Sequence, residues 1–504
     1  MMNQNTYENQ LTFGIVGSGT AGLLSALILR KAFPMSPITV VSSSAIGIIG
    51  VGEGSTEHWA DFMRLCDIDL EEMIVATEAT HKYGISFEGW TTHTPRYFHS
   101  VGEIDNVFAW GLHGTYASFI EKSQLFTNQT TSIGLVRNKI RTNGLHRSTN
   151  QFHFDTFKLN EYFTSLAFKR SIKFVDASVS AVMQHPDNGN ISSIQTDTGE
   201  VINADFWIDA SGFSRVLMNN LGNTKWTSFS DYLLCDSAIA FPTESDPSGQ
   251  IRPYTRAIAA SSGWMWEIPT QSRRGNGYVY SSSHISKEDA LLEASKISGY
   301  EIGAHRSFSF NPGYLDDVWV KNCAAVGLAS SFVEPLEATS IGSTIQQIRL
   351  LIPYLASYRE DSSKMQKHYN KSFREVMQNI LTMIRLHYYS DRDDSEFWKD
   401  TARMPINDEL QELIELWSER PPSRNDVPHN HVEMFLVPHL AHVAQGQGVF
   451  DSGSATLALN RLGVREAVEN TAAQMREGRI NHELIDHAEA LRMLITVDDE
   501  WEIQ

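Results

Sequence analysis

The segment "LTFGIVGSGTAGLLSALILRKAF", Leu11 to Phe33, constrains the fold more than any other stretch of the chain. Phe13, Ile15 and Val16 read as a short buried strand, Gly17, Gly19 and Gly22 form GxGxxG, and Ala21 to Ala32 is a dense apolar helical run. Strand, tight turn and helix in that order make a dinucleotide-binding unit. Its glycines let the backbone approach a pyrophosphate, and the helix start receives the charge. A second strand, "PITVVSSSAIG", follows at the expected distance. Such a strand ordinarily ends in an acid that holds the ribose hydroxyls, but Ser42 and Ser43 stand there. A hydroxyl makes a neutral hydrogen bond where a carboxylate makes charge-assisted ones roughly twice as strong. Loose retention of the nucleotide is the expectation.

Four more stretches carry chemistry. "GVGEGSTEHWADFMRLC", Gly50 to Cys66, is a second glycine-rich turn leading into an amphipathic helix, with Gly50, Val51, Gly52 and Glu53 set to pass near a ring or a phosphate. "NADFWIDASGFSRVL", Asn203 to Leu217, is an apolar strand running into Asp209 and Gly212, similar to the second FAD-contacting strand of flavoprotein monooxygenases, which favours flavin over nicotinamide. "NCAAVGLASSFVEPLEATSIGSTIQQIRLLIPYL", Asn322 to Leu355, reads as a buried strand through Val326, a turn at Gly327, two acids around Pro335, and a helix from about Ser340. Those acids, Glu334 and Glu337, either cap the helix from solvent or sit in a cleft with work to do. "GWMWEIP", Gly263 to Pro269, puts Trp264 and Trp266 on one face of a strand, as core fillers or as the wall of a passage.

Composition narrows the partners. A chain of 504 residues, 41% hydrophobic and 10% aromatic, can bury one large core or two. A formal charge of -19 argues against a nucleic-acid surface and against an anionic membrane as partner. Cys66, Cys235 and Cys323 lie far apart with neither CxxC spacing nor a neighbouring His cluster, so no disulfide framework and no metal site is predicted, and a reducing cytoplasm fits. The N-terminal "MMNQNTYENQ" lacks the order of a signal peptide, and no apolar run approaches the roughly 20 residues that span a bilayer. A soluble cytoplasmic protein is expected.

"GLASSFVEPLEATSI" together with "GWMWEIP" resembles the flavin-dependent halogenases, the group best known from tryptophan halogenases. "TEATHKYGISFEGW", "FHFDTFKLNEYF", "YLLCDSAIAF", "GNGYVYSSSHIS" and "LHYYSDRDDSEFW" match the order and spacing of that family, and the match runs from about Phe13 to Trp398. The resemblance implies an α/β, Rossmann-like FAD-binding fold of the p-hydroxybenzoate hydroxylase type with a mixed sheet over residues 1–360, and a helical C-terminal part over 361–504 covering the substrate chamber. It implies FAD, used as FADH2, with O2 and a halide ion (chloride, bromide or iodide), making hypohalous acid.

By position in the family's motifs, Gly17, Gly19, Ala21, Gly22, Ser42, Gly50, Val51, Gly52, Glu53, Asp209, Gly212 and Gly327 bind the cofactor. The amides of Thr339 and Ser340 hold the halide, and Trp264, Trp266, Ile268 and Pro269 line a passage that keeps substrate from the flavin. The resemblance implies that Lys82 delivers the halogen and that Glu337 assists the electrophile or takes the proton that the ring loses. Two departures are visible: Ala338 replaces a serine common in the family, and "GIIGVGE" lacks the arginine often found before that turn. No second GxGxxG with its strand offers a nicotinamide site, so a separate flavin reductase is the expected partner, and a small electron-rich aromatic compound (indole, phenol or aniline type) the expected substrate. The stretch "HVEMFLVPHLAHVAQGQGVFD", His431 to Asp451, offers Phe435 and Phe450 but no tyrosine to grip an amino-acid end, so free tryptophan is expected to be poor. A flavoprotein aromatic hydroxylase and a catalytically silent flavin-binding redox module remain the alternatives at this point.

Overall fold

The computed structural model describes residues 10–48, 53–100, 139–141, 151–222, 224–423, 425–427, 434–450, 452–467, 469–470 and 484–496. At its centre is a six-stranded mixed sheet. Phe13–Val16 is flanked in parallel by Ile38–Ser42 and by Phe206–Asp209. Lys173–Asp176 extends one side and Cys323–Ala325 the other, both parallel, and Trp319–Val320 returns antiparallel at the edge. A parallel strand covered on both faces is apolar throughout, which is why Phe13–Val16 is buried at every position.

The helix Thr20–Ala32 turns Leu23, Leu24, Leu27 and Ile28 inward, all completely buried. The turn before it and its own first turn each demand a glycine. Gly17 has φ +108, and a Cβ there would collide with the carbonyl oxygen of Ala210; a Cβ on Gly22 would strike the carbonyl oxygen of Gly17. Gly22 therefore serves the packing of helix on strand.

A second, seven-stranded sheet runs in the order Arg306–Ser309, Ser237–Glu244, Arg273–Tyr280, Gly263–Pro269, Thr255–Ala260, Gly84–Glu88 and Arg96–Ser100. Its pairs are antiparallel except Thr255–Ala260 with Gly84–Glu88. Strand alternation brings Trp264 and Trp266 to one face with ring centroids 6.1 Å apart. Trp266 pairs with Gly277, where any Cβ would collide with the indole, so the flat glycine surface is what lets this ring lie down. A small third sheet of Glu53–Gly54, Gln151–Phe154 and Thr80–Lys82 sets Lys82 opposite Gln151.

Beyond residue 360 the chain is mainly helical: Ser363–His387, Glu396–Arg403, Asp408–Glu419, Val437–Gly446, Ser452–Leu462 and His487–Thr496. It is not purely so, since Leu484–Asp486 forms a strand antiparallel to Lys139–Arg141. One apolar core crosses position 360, with Ile345, Ile348 and Leu351 before it and Met377, Ile380 and Leu440 after it. Among the described residues no helix is long and apolar enough to cross a membrane.

Candidate active site

A cavity of about 550 Å³ extends from the glycine turn to the start of the helix Thr339–Leu355. Gly17, Gly19, Ala21, Ser42, Gly212 and Gly327 line this cavity. A Cβ on Gly19 or Gly212 would meet nothing within 4 Å, so open space lies over both. The helix Thr20–Ala32 begins with no side-chain cap and no acid in its first turn, leaving its amides and positive end to an outside anion. An open cradle over uncapped amides fits the pyrophosphate of a dinucleotide.

The other proposed cofactor contacts fare differently. Gly50, Val51 and Gly52 lie outside the described residues, and Glu53 sits in a short strand beside Phe154. Asp209 does not border the cavity: it is fully buried, and its carboxylate accepts from the amides of Ser211 (3.1 Å), Leu217 (2.8 Å) and Met218 (2.9 Å). A buried carboxylate needs such donors, and here they tie down the turn that carries Gly212. Gly22 and Pro269 do not border the cavity either. The Pro269 carbonyl instead accepts from the Thr80 hydroxyl at 2.8 Å.

Lys82, Trp264, Trp266, Ile268, Glu334, Glu337, Thr339 and Ser340 line the same cavity. Lys82 is 1% exposed, and its Nζ donates to the Ser55 carbonyl at 2.9 Å. Burial lowers its pKa to about 8 even though Glu337 and Glu57 favour its charge. The helix Thr339–Leu355 is approached through two left-handed residues, Glu337 at φ 67 and Ala338 at φ 55, a conformation that costs roughly 1–2 kcal/mol each outside glycine. No side chain caps this helix, so the first amides, those of Thr339 and Ser340, remain for a small anion at the cavity wall.

The two acids diverge. Glu337 Oε2 lies 2.7 Å from His99 Nδ1, and Oε1 lies 2.9 Å from His387 Nε2. Burial would raise this carboxyl, but the charge of His99 and the hydrogen bonds of His387 and His99 outweigh it and hold Glu337 well below the usual carboxylate range. On the far side of His387, Nδ1 lies 3.1 Å from the Tyr97 hydroxyl. Glu334 Oε2 accepts from the Tyr388 hydroxyl at 3.1 Å, and burial, only partly offset by Tyr388, Trp264 and Cys235, pushes its pKa up to about 7. Three residues apart, one acid is held ionised and the other is half-protonated near neutrality.

His99, His387 and Tyr97 were not anticipated from sequence. His99 is 238 positions from Glu337 and had no local signal, whereas His387 lies within the family-like "LHYYSDRDDSEFW". Phe435 packs on His439 and Phe450 on Trp417, and neither borders the cavity; positions 431–433 and 451 lie outside the described residues.

Fold and cavity define the class: an α/β protein with the Rossmann-like FAD-binding fold of flavoprotein monooxygenases and a helical C-terminal part. Residues 12–460 match the tryptophan halogenase family. Tryptophan 6-halogenase SttH of Streptomyces toxytricini is 30% identical over 83% of this chain and 86% of its own. 7-Chloro-L-tryptophan 6-halogenase KtzR of Kutzneria sp. (strain 744) is 29% identical over 93% of this chain and 97% of its own. The structure of Xcc4156, a flavin-dependent halogenase from Xanthomonas campestris, superposes with a TM-score of 0.81 at 29% identity, covering 96% and 99% of the two chains. The chain belongs to the tryptophan halogenase family and is a flavin-dependent halogenase.

Proposed function

We propose that this enzyme halogenates a small electron-rich aromatic compound, of the indole, phenol or aniline type, through Lys82. The observation that carries this reading is a buried lysine sharing one cavity with an ionised glutamate, two tryptophans and the nucleotide cradle. Gly17, Gly19, Ala21, Ser42, Gly212 and Gly327 would hold FAD. Held there as FADH2, with O2 and a halide ion, it would supply the hypohalous acid.

This chain's own residues do the rest. The uncapped amides of Thr339 and Ser340 hold the halide as an anion without offering a competing nucleophile. Trp264 and Trp266 stand in the wall and keep the aromatic substrate away from the nucleotide end. With a pKa of about 8, roughly a tenth of Lys82 is neutral at pH 7. It can therefore donate a hydrogen bond to hypohalous acid or bind the halogen as a haloamine. Glu337, held ionised, takes the proton that the ring releases when the halogen is in place. In this reading residues 1–360 carry cofactor and halide while those from 361 cover the substrate, and free tryptophan is a poor substrate.

The test supplies FAD, a flavin reductase and NADH with chloride, bromide or iodide, adds catalase and a scavenger of free hypohalous acid, and screens electron-rich arenes by mass spectrometry. Lys82→Ala should keep FADH2 oxidation but lose the halogenated product. Lys82→Arg should fail as well, because a guanidinium stays protonated in proteins. Halogenation by Lys82→Ala at the wild-type rate would remove the lysine from the mechanism, and a hydroxylated product independent of halide would favour the aromatic hydroxylase.

A further inference from the structure

Glu337 is one end of a chain of buried acid–base groups that leads out of the cavity. His99 Nδ1 lies 2.7 Å from Glu337 Oε2, His99 Nε2 lies 3.0 Å from His439 Nδ1, and His439 Nε2 lies 3.1 Å from Glu57 Oε1. His99 and His439 are 1% and 3% exposed, while the Glu57 side chain is 29% exposed. Their strand, helix and turn are far apart in sequence, and only the fold lines them up.

Counting protons gives the chain a property that no single contact shows. Each of the three contacts joins two atoms that repel unless one proton lies between them. Two neutral imidazoles bring one N–H apiece, which satisfies at most two of the three contacts whatever the tautomers. The third requires one more proton. With Glu337 and Glu57 both held ionised, the chain thus holds an imidazolium, on His99 or His439, between two carboxylates, and one shift along the 3.0 Å bond exchanges the two forms.

The geometry points to a proton exit route running from Glu337 through His99 and His439 to Glu57, the partly exposed end of the chain of groups. It rests on the reading of Glu337 as the base and adds how that base is reset. When the substituted ring loses its proton, the C–H bond breaks, its electron pair restores the aromatic ring, and the proton goes to Glu337. The proton already held on the imidazoles then leaves through Glu57 to water, and the one on Glu337 takes its place, so the carboxylate is ionised again for the next turnover. His387 is excluded from the route: its Nε2 faces Glu337 Oε1, but its Nδ1 faces the Tyr97 hydroxyl, whose oxygen accepts from Gln447 Nε2 at 3.2 Å, and that branch ends in a buried amide. His439 and Glu57 are positioning residues, acting through Glu337.

The surroundings matter for the pH behaviour. Lys82 and His387 bear on Glu337; the His442 ring stands edge-on to His99; and His58, Gln151 and Lys82 bear on Glu57. Two measurements test the route on the full-length holoenzyme. The first is ¹⁵N NMR of histidine-labelled protein at about pH 8, with signals assigned through His99→Gln and His439→Gln. One imidazolium shared by the pair is expected, and two neutral rings would overturn the count whatever the enzyme's activity. The second compares wild type with Glu57→Gln on an indole that the wild type halogenates. The first turnover should change less than the steady-state kcat, which should fall roughly 10²-fold, the low end of a general base's contribution, and added imidazole buffer should restore kcat with a dependence on buffer concentration and pH. An unchanged kcat, or a loss that no buffer rescues, would overturn the route. If no indole is halogenated by the wild type, the halogenation reading fails, while the NMR spectrum still decides the proton count.

Discussion

Glu334 and Glu337 show how little the residue type says about a charge. Both are carboxyls in one loop and both are nearly inaccessible, yet one faces two imidazoles and the other a phenol, an indole and a thiol. The consequence for Glu334 is measurable. Its folded pKa of about 7 lies above the ordinary 4.5, so the folded state binds more protons between those values. The stability it contributes is complete below about pH 4.5 and is lost as pH rises through about 7. A shift of this size is worth up to about 3 kcal/mol. Between about pH 4.5 and pH 7 the urea stability of Glu334→Gln should therefore rise relative to that of wild type. Lys82 is silent in that window, because its depressed pKa makes stability rise only from about 8 upward. Equal slopes for wild type and variant would show that Glu334 titrates as an ordinary exposed acid.

Among the elements, the glycine turn makes the sharpest distinction. Gly17 and Gly19 are both part of GxGxxG, but one is required by the fold and the other by what the fold binds. At Gly17 a side chain needs φ +108 and collides with Ala210, whereas Gly19, at φ -67, has open space where a Cβ would be. Gly17→Ala should lose more than about 2 kcal/mol of stability. Gly19→Ala should melt within about 0.5 kcal/mol of wild type yet bind FAD at least about tenfold more weakly, since the methyl group occupies the cradle. Thermal denaturation and quenching of flavin fluorescence separate the two effects. A Gly19→Ala protein with normal FAD affinity would place the pyrophosphate elsewhere.

At the scale of the whole molecule, the C-terminal helices are part of the same core as the nucleotide-binding sheet, and His387 and His439 come from them. The site is therefore built by both parts of the chain at once. The nucleotide cradle, in contrast, has Ser42 and Ser43 in its wall where an acid would clasp the ribose. Purified protein should carry little FAD, and product should form only when a reductase supplies FADH2. Product formed with NADPH, FAD and no reductase would contradict this.

The order of residues along the chain by itself determined whatever depends on near neighbours. Strand, glycine turn and helix at Phe13–Ala32, the shared face of Trp264 and Trp266, and the acid-bearing loop before Thr339 all follow from spacing within a few residues, and the halogenase-like motifs are local strings of the same kind. The tertiary structure alone decided which of these residues meet. It turned Asp209 into its own backbone, put His99 against Glu337 across 238 positions, and extended that contact through His439 to Glu57. The reason is physical: hydrogen bonds and charges act over a few ångströms, and a side chain's protonation follows from burial and from partners that folding brings from elsewhere in the chain.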